Sequence, residues 1–134
     1  MRIIVADDDP VISKLLCKWL ESAGHEAIAA FDAVQTLMFA RRQVPALIIL
    51  DIKMPAGSGV DTLKRLEKIG KMSMIPVLVL SGSADPEMPE LVRSLGALDF
   101  LAKPVDREQL LAAVARILAL EPRSRRKEKA TTAD

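Results

Sequence analysis

The sequence predicts a single α/β domain whose parallel sheet is covered by helices on both sides. Three observations predict it. Short apolar runs alternate with amphipathic stretches along roughly the first 120 residues. The strongest runs, ALIIL at 46–50 and IPVLVL at 75–80, leave no position for a wet face, as strands buried on both sides require. Five β-then-α units follow one another, which is the pattern of a parallel sheet with helical crossovers. Right-handed crossovers then restrict the topology to a few doubly wound orders.

Ile3–Ala6 is the first buried strand, ended by Asp7, Asp8 and Asp9. Asp9 and Pro10 supply an N-cap and a first-turn proline. Val11, Leu15 and Trp19 with Ile12, Leu16 and Leu20 form a helical stripe that stops at Gly24. Ala27–Ala29 is a weak strand, and Ala33–Gln43 a helix with Leu37 and Ala40 facing inward. Ala46–Leu50 is a stronger strand. Met54-Pro55 reads as a rigid turn and Pro55–Gly59 as a loop. Val60–Ile69 places Leu63, Leu66 and Ile69 at helical spacing, with Gly70 as its stop. Ile75–Leu80 is the fourth strand, and Asp85-Pro86 starts a helix that stops at Gly96. Asp99–Ala102 is a short fifth strand, and Asp106 with Gln109 forms a capping box for a last helix through Leu118. Beyond Pro122 the apolar pattern vanishes, so a domain is expected over 1–121 and a flexible basic tail or linker over 122–134.

Composition narrows the functional classes. The chain has 134 residues, one cysteine and a net charge of +1. Cys17 alone excludes a disulfide framework and any multi-cysteine metal site. The longest uncharged stretch, 72–84, is too short to cross a bilayer, and three aspartates interrupt any signal-peptide core. A cytoplasmic location is therefore expected. Charge divides unevenly: residues 1–121 hold 14 basic and 16 acidic side chains, whereas 122–134 hold five basic and two acidic. Four aromatics leave little basis for stacking single-stranded nucleic acid. The tail's cations fit either contacts to phosphates or a solvated run.

In open α/β sheets, ligands bind outside the carboxyl ends of the strands. Here those ends carry Asp7 and Asp8, Asp51, Ser81 and Lys103. Clustered carboxylates repel unless a cation binds or some are protonated. Two or three hard oxygen ligands suit Mg²⁺, which retains waters and shares a phosphate oxygen. Lys103 adds a point charge for phosphate. One carboxylate of such a site can act as a nucleophile and become an aspartyl phosphate. Taken alone, Asp7, Asp8 and Asp9 also fit turn and capping roles, and Asp9 is read as a cap. Ser81 alone is a loop hydroxyl. Cys17 reads as an inert mid-helix residue and His25 as a surface loop residue.

Asp7-Asp8 after the first strand, LIILDIKMPAGSG around Asp51, VLVLSGSA around Ser81 and FLAKP around Lys103 together resemble a bacterial two-component response-regulator receiver domain of the chemotaxis-regulator type. The resemblance covers residue 2 to about residue 120. It implies a flavodoxin-like doubly wound (βα)5 fold with strand order 2-1-3-4-5. It implies that Asp51 accepts a phosphoryl group from a histidine kinase or histidine phosphotransfer protein. Asp8, Asp51 and the backbone carbonyl of Lys53 would bind Mg²⁺ (or Mn²⁺), with Asp7 acting through coordinated water. Lys103 would pair with the phosphoryl group, the Ser81 hydroxyl would move to bind it, and Phe100 matches the aromatic switch position. The Lys103-Pro104 bond is cis in similar proteins. The switched surface would comprise the fourth helix, fifth strand and fifth helix. That implies a signalling protein without turnover chemistry, monomeric or weakly dimeric once phosphorylated, acting on a downstream protein or output domain and not itself contacting nucleic acid.

Lys53, two residues after Asp51, stands where the resemblance implies a position that tunes dephosphorylation, and it reads equally as a solvated lysine. Gly82 leaves access to the phosphate open, and Phe100 stands where many relatives have tyrosine. Two alternatives stay open. One is an amino-terminal receiver of a longer DNA-binding or enzymatic regulator. The other is a Mg²⁺-dependent phosphatase with an aspartate nucleophile, although such enzymes want an acid where Lys53 stands.

Overall fold

Isoleucine, valine and leucine fill the central strands, whose branched side chains pack well on a pleated surface buried on both sides. In the computed structural model, which describes residues 1–53, 59–82 and 85–120, they form five strands. These are β1 (Arg2–Ala6), β2 (Glu26–Ala30), β3 (Leu47–Asp51), β4 (Val77–Ser81) and β5 (Asp99–Ala102). The sheet runs β2-β1-β3-β4-β5 with all pairs parallel. The helices are α1 (Pro10–Ser22), α2 (Ala33–Arg42), α3 (Gly59–Lys68), α4 (Met88–Ser94) and α5 (Arg107–Ala119). This is the doubly wound, flavodoxin-like order that the resemblance implies.

Side chains alternate along each strand and so sort the core into two layers. Ile4, Ile48, Leu50 and Val79 meet Ala40, Leu63, Leu66 and Val92 of α2, α3 and α4. Ile3, Val5, Ile49 and Leu78 meet Leu16, Leu20, Leu110 and Ile117 of α1 and α5. Each fully buried aliphatic side chain contributes about 1.5–3 kcal/mol over its exposed state. The topology also positions the site. From β1 the chain moves outward to β2, then returns across β1 to β3, so the loops leaving β1 and β3 diverge and open a crevice.

The caps follow the expected chemistry. Asp9 Oδ1 accepts from the amides of Val11 (2.9 Å) and Ile12 (3.3 Å) ahead of Pro10. Asp106 and Gln109 form the reciprocal capping box of α5. Gly24 and Gly96 end their helices with positive φ, at 90° and 106°.

Several local expectations need correction. Val11 and Leu15 lie on the exposed side of α1, 76 % and 45 % accessible, so the buried stripe is Ile12, Leu16, Trp19 and Leu20. Gly70 does not stop a helix with a left-handed residue; it opens a short 3-10 turn at Gly70–Met74. The α4 helix begins at Met88 because Asp85 Oδ1 accepts from the Glu87 amide and closes a turn first. The fourth strand starts at Val77, two residues later than predicted, and extends to Ser81 itself. The strands β2 and β5 lie at the sheet edges and are only partly buried, unlike the three between them. The Met54-Pro55 turn, residues 55–58 of the expected loop, Ser83, Ala84, the boundary at 121 and the tail 122–134 lie outside the described residues.

Candidate functional site

Parallel register delivers the chemistry to one edge of the sheet. Asp51 is the last residue of β3 and pairs with Leu80, so Ser81 closes β4 one step beyond it. Ser81 pairs with Ala102, and the next residue is Lys103, whose amide donates to the Ser81 carbonyl at 2.8 Å. Asp7 follows β1 directly and is tied to β2 by its amide, which donates to the Ala30 carbonyl at 3.0 Å.

The expected residues converge. Carboxylate oxygens of Asp7, Asp8 and Asp51 all lie within 4.8 Å of one another. Lys103 Nζ donates to Asp7 Oδ2 at 2.9 Å and lies 3.4 Å from Asp51 Oδ1. Asp7 is 1 % exposed, Asp51 7 %, and Asp8 is exposed at the mouth. Asp7 Oδ1 also accepts from the Asp9 amide at 2.9 Å, and the Lys53 amide approaches Asp51 Oδ1 at 3.4 Å.

Two titrations are displaced. Burial pushes the Asp51 carboxyl above its ordinary value; Lys103 pulls it down and Asp7 pushes it up, leaving it raised. Burial pulls the Lys103 ammonium down, but the Asp7 and Asp51 carboxylates outweigh that and leave it raised. A buried carboxylate that resists ionisation beside two others is a poor resting arrangement for the protein alone and a good one for a cation. The three clustered carboxylates are hard oxygen donors, two of them are buried, and Asp8 is open to water. That set fits Mg²⁺, which takes a few carboxylates and keeps the rest of its shell as water. Asp7, Asp8 and Asp51 are the side chains that would hold it.

The remaining predicted residues fall around this cluster. Ser81 is fully buried at the end of β4. Phe100 is half-buried on β5 and packs against the layer that contains α4. Lys53 is exposed. Gly82 is exposed, and a Cβ there would lie 4.0 Å from Lys103 Cβ, an ordinary contact. The Lys103-Pro104 peptide is cis.

Three features were not foreseen. Gly59 packs so closely on the end of β3 that a Cβ would sit 2.5 Å from the Asp51 carbonyl oxygen and from Ile52 Cα. The sequence offered only a loop glycine there. Lys103 binds Asp7 directly, a contact that no spacing rule foretells. A hollow of about 360 Å³ is lined by Ile12, Leu15, Trp19, Leu80, Lys103 and Val105.

Comparison with known proteins places these features in context. The family model described as "Response regulator receiver domain" matches residues 3–115. The chain is 34 % identical to Protein PilH of Pseudomonas aeruginosa over 119 residues, covering 88 % of this chain and 98 % of PilH. It is 36 % identical to the DNA-binding dual master transcriptional regulator RpaA of Synechocystis, covering 87 % of this chain but 48 % of RpaA. The chain thus spans about half of that relative and nearly all of PilH. Among solved structures, a putative response regulator from Chloroflexus aurantiacus superposes with a TM-score of 0.84 at 28 % identity, covering 89 % of this chain and 98 % of that one. The chemotaxis response regulator CheY4 of Vibrio cholerae gives 0.81 at 28 % identity, covering 87 % and 97 %. No described helix is long and apolar enough to cross a membrane.

Proposed function

The chain belongs to the response regulator receiver domain family of two-component signalling, and on that premise we propose that Asp51 is its phosphoacceptor. The observation that carries the proposal is the position of Lys103 Nζ, 2.9 Å from Asp7 and 3.4 Å from Asp51, beside three mutually close carboxylates. The donor is a phosphohistidine of a sensor histidine kinase or histidine phosphotransfer protein. A carboxylate oxygen of Asp51 forms the new O–P bond as the N–P bond breaks, and the electron pair stays on the departing imidazole. Such transfer leaves the protein little covalent work; positioning and charge neutralisation carry it.

Lys103 neutralises one of the equatorial phosphoryl oxygens, and the Ser81 hydroxyl binds another after it turns from its buried position. Asp8, Asp51 and the Lys53 carbonyl would hold Mg²⁺ (or Mn²⁺), with Asp7 acting through water, and the ion would supply further charge neutralisation. Lys53 and Gly82 set how water reaches the acyl phosphate. The product carries about −1.5 to −2 charges where the carboxylate carried one. Movement of Ser81 and Phe100 then biases the surface of α4, β5 and α5, which a downstream protein or output domain reads. The domain modifies itself and turns over no separate substrate. The setting is cytoplasmic, with the protein monomeric or weakly dimeric when phosphorylated. An exposed lysine, not an acid, two residues after Asp51 favours this reading over a phosphatase.

Incubation with acetyl phosphate and Mg²⁺, read by intact-mass spectrometry, is expected to add one phosphoryl group to the wild type and none to Asp51→Ala. EDTA should suppress the addition. Equal labelling of Asp51→Ala would overturn the assignment.

A further inference from the structure

On the layer opposite α1 and α5, α2 presents a face that core packing does not explain. Ala33, Thr36 and Ala40 are buried against the sheet, as the helical period requires. Val34 on the other side is 59 % exposed, with Met38 one turn on and Arg41 at the next. Between this face and α3 lies a groove of about 520 Å³ lined by Val34, Leu37, Met38, Arg41, Arg42 and Arg65. A second, smaller hollow that shares Arg41 is lined by Ala40, Val44, Ile69 and Met72, with Val44 61 % exposed.

The arginines of this groove differ from the others. Among the described residues, Arg2, Arg93 and Arg116 each pair with a carboxylate, and Arg107 donates to the Ser22 hydroxyl. Arg41, Arg42 and Arg65 have no side-chain partner among the described residues. Their place in the last turns of α2 and α3 complements the helix dipoles, which accounts for positive charge there but not for an apolar channel between the charges. An apolar floor about two helical turns long with guanidinium groups free at its rim is the complement of a helix with leucine-like anchors on one side and carboxylates on its flanks. Arginine, with its planar fork, suits carboxylates in particular.

We infer that the groove between α2 and α3 docks an acidic amphipathic helix of a partner protein, on a face separate from the phosphoacceptor edge and from α4, β5 and α5. Charge selects this occupant. The chain's own residues 122–134 carry five basic side chains against two acidic ones and would be repelled.

The probe is a fluorescein-labelled synthetic helix with leucines at i, i+4, i+7 and i+11 and glutamates on its flanks. Titrated with the unphosphorylated full chain, it is expected to bind in a salt-sensitive manner and to shift the amide resonances of Val34, Met38 and Arg65. A counterpart with lysines for glutamates should not bind. The exposed double variant Arg41→Glu/Arg65→Glu should weaken binding at least tenfold, because it removes two rim cations and adds repulsion. Val34→Glu should weaken it independently, and circular dichroism should show both variants folded. Resonance shifts confined to α1 or to α4 and α5, or unchanged affinity in the double variant, would overturn the inference. So would self-association in sedimentation that the same charge reversal abolishes, since the groove would then belong to a second copy.

Discussion

Asp51→Asn should make the apo domain more stable, not less, although it alters the residue on which the proposed chemistry depends. The substitution keeps shape and removes one charge. At an effective dielectric of about 20, the 3.4 Å pair with Lys103 is worth roughly 5 kcal/mol of attraction that the variant loses. Against this, the Asp7 carboxylate lies within 4.8 Å, so about 3.5 kcal/mol or more of repulsion also disappears. Asp8, exposed to water, removes roughly 1 kcal/mol more. The Coulomb contributions nearly cancel, and the desolvation of a carboxylate that is 7 % exposed is left uncompensated. Its sign agrees with the raised Asp51 carboxyl, since burial is the largest cause of that shift. The expected gain at pH 7 in EDTA is on the order of 1–2 kcal/mol, or roughly 3–6 °C per kcal/mol in a domain of this size.

Linkage supplies an internal control. A carboxyl whose folded pKa exceeds its unfolded value binds its proton more readily in the folded state, so wild-type stability rises relative to the variant as pH falls through the folded pKa. The advantage of Asp51→Asn should therefore shrink with acid and vanish once Asp51 is protonated in both states. Adding Mg²⁺ at neutral pH should reverse the order, because a ligand at a hundred times its Kd stabilises the wild type by about 2.7 kcal/mol. Thermal unfolding followed at 222 nm across pH, with and without Mg²⁺, tests all three statements. A variant melting at or below the wild type in EDTA, or a gain that persists unchanged into acid, would refute the reasoning.

Lys103→Met should destabilise the apo protein by about 2–3 kcal/mol at pH 7, because it leaves two buried carboxylates without their cation. The raised Lys103 pKa means this contribution is complete at neutral pH and disappears as pH rises through the folded value, which urea melts at pH 7 and in strong alkali will detect. Equal urea midpoints at pH 7 would contradict the pairing. Gly59→Ala should cost about 3 kcal/mol and impair labelling of Asp51, since the new methyl meets immovable β3 backbone. Gly96→Ala should cost less, about 1–2 kcal/mol, because there the methyl meets the end of the flexible Glu67 side chain and the remaining penalty is a φ of 106°. A larger loss in Gly96→Ala than in Gly59→Ala would invert the argument.

Much of the fold was legible because the apolar runs are long and the caps conventional. ALIIL admits one reading in a doubly buried strand, and Asp106 with Gln109 announces the last helix by hydrogen-bonding chemistry alone. Errors cluster where a short-range rule competed with a partner elsewhere in the chain. Val11 and Leu15 look like part of one stripe, yet a helix buries only one side, and the side was set by packing against α5 and the sheet. Gly70 carries the composition of a helix stop but not its conformation. Asp85 satisfies a capping rule and uses it for a turn instead. Strand ends disclosed Asp7, Asp51, Ser81 and Lys103 because parallel register sends every carboxyl end to one edge. Gly59 stayed hidden, since a glycine chosen for close backbone approach is indistinguishable in sequence from one chosen for a turn.

Lys103 joins what the sequence could only place side by side. Its side chain bonds Asp7 after β1, its ammonium lies near Asp51 on β3, and its amide bonds the Ser81 carbonyl on β4. Three strands therefore meet through one residue, and its shorter ion pair is with Asp7, not with Asp51. Added negative charge at Asp51 strengthens the weaker of the two pairs and draws the ammonium away from β1. The backbone of Lys103 is held to β4, so that pull is exerted between the two halves of the sheet and at the residue where β5 ends. Lys103 is thus anchored to the strand that carries Ser81, and the neighbouring β5 carries Phe100 at the register of Val79. The arrangement suits a lysine: its compact ammonium is a point charge that lies 2.9 Å from one carboxylate and 3.4 Å from the other.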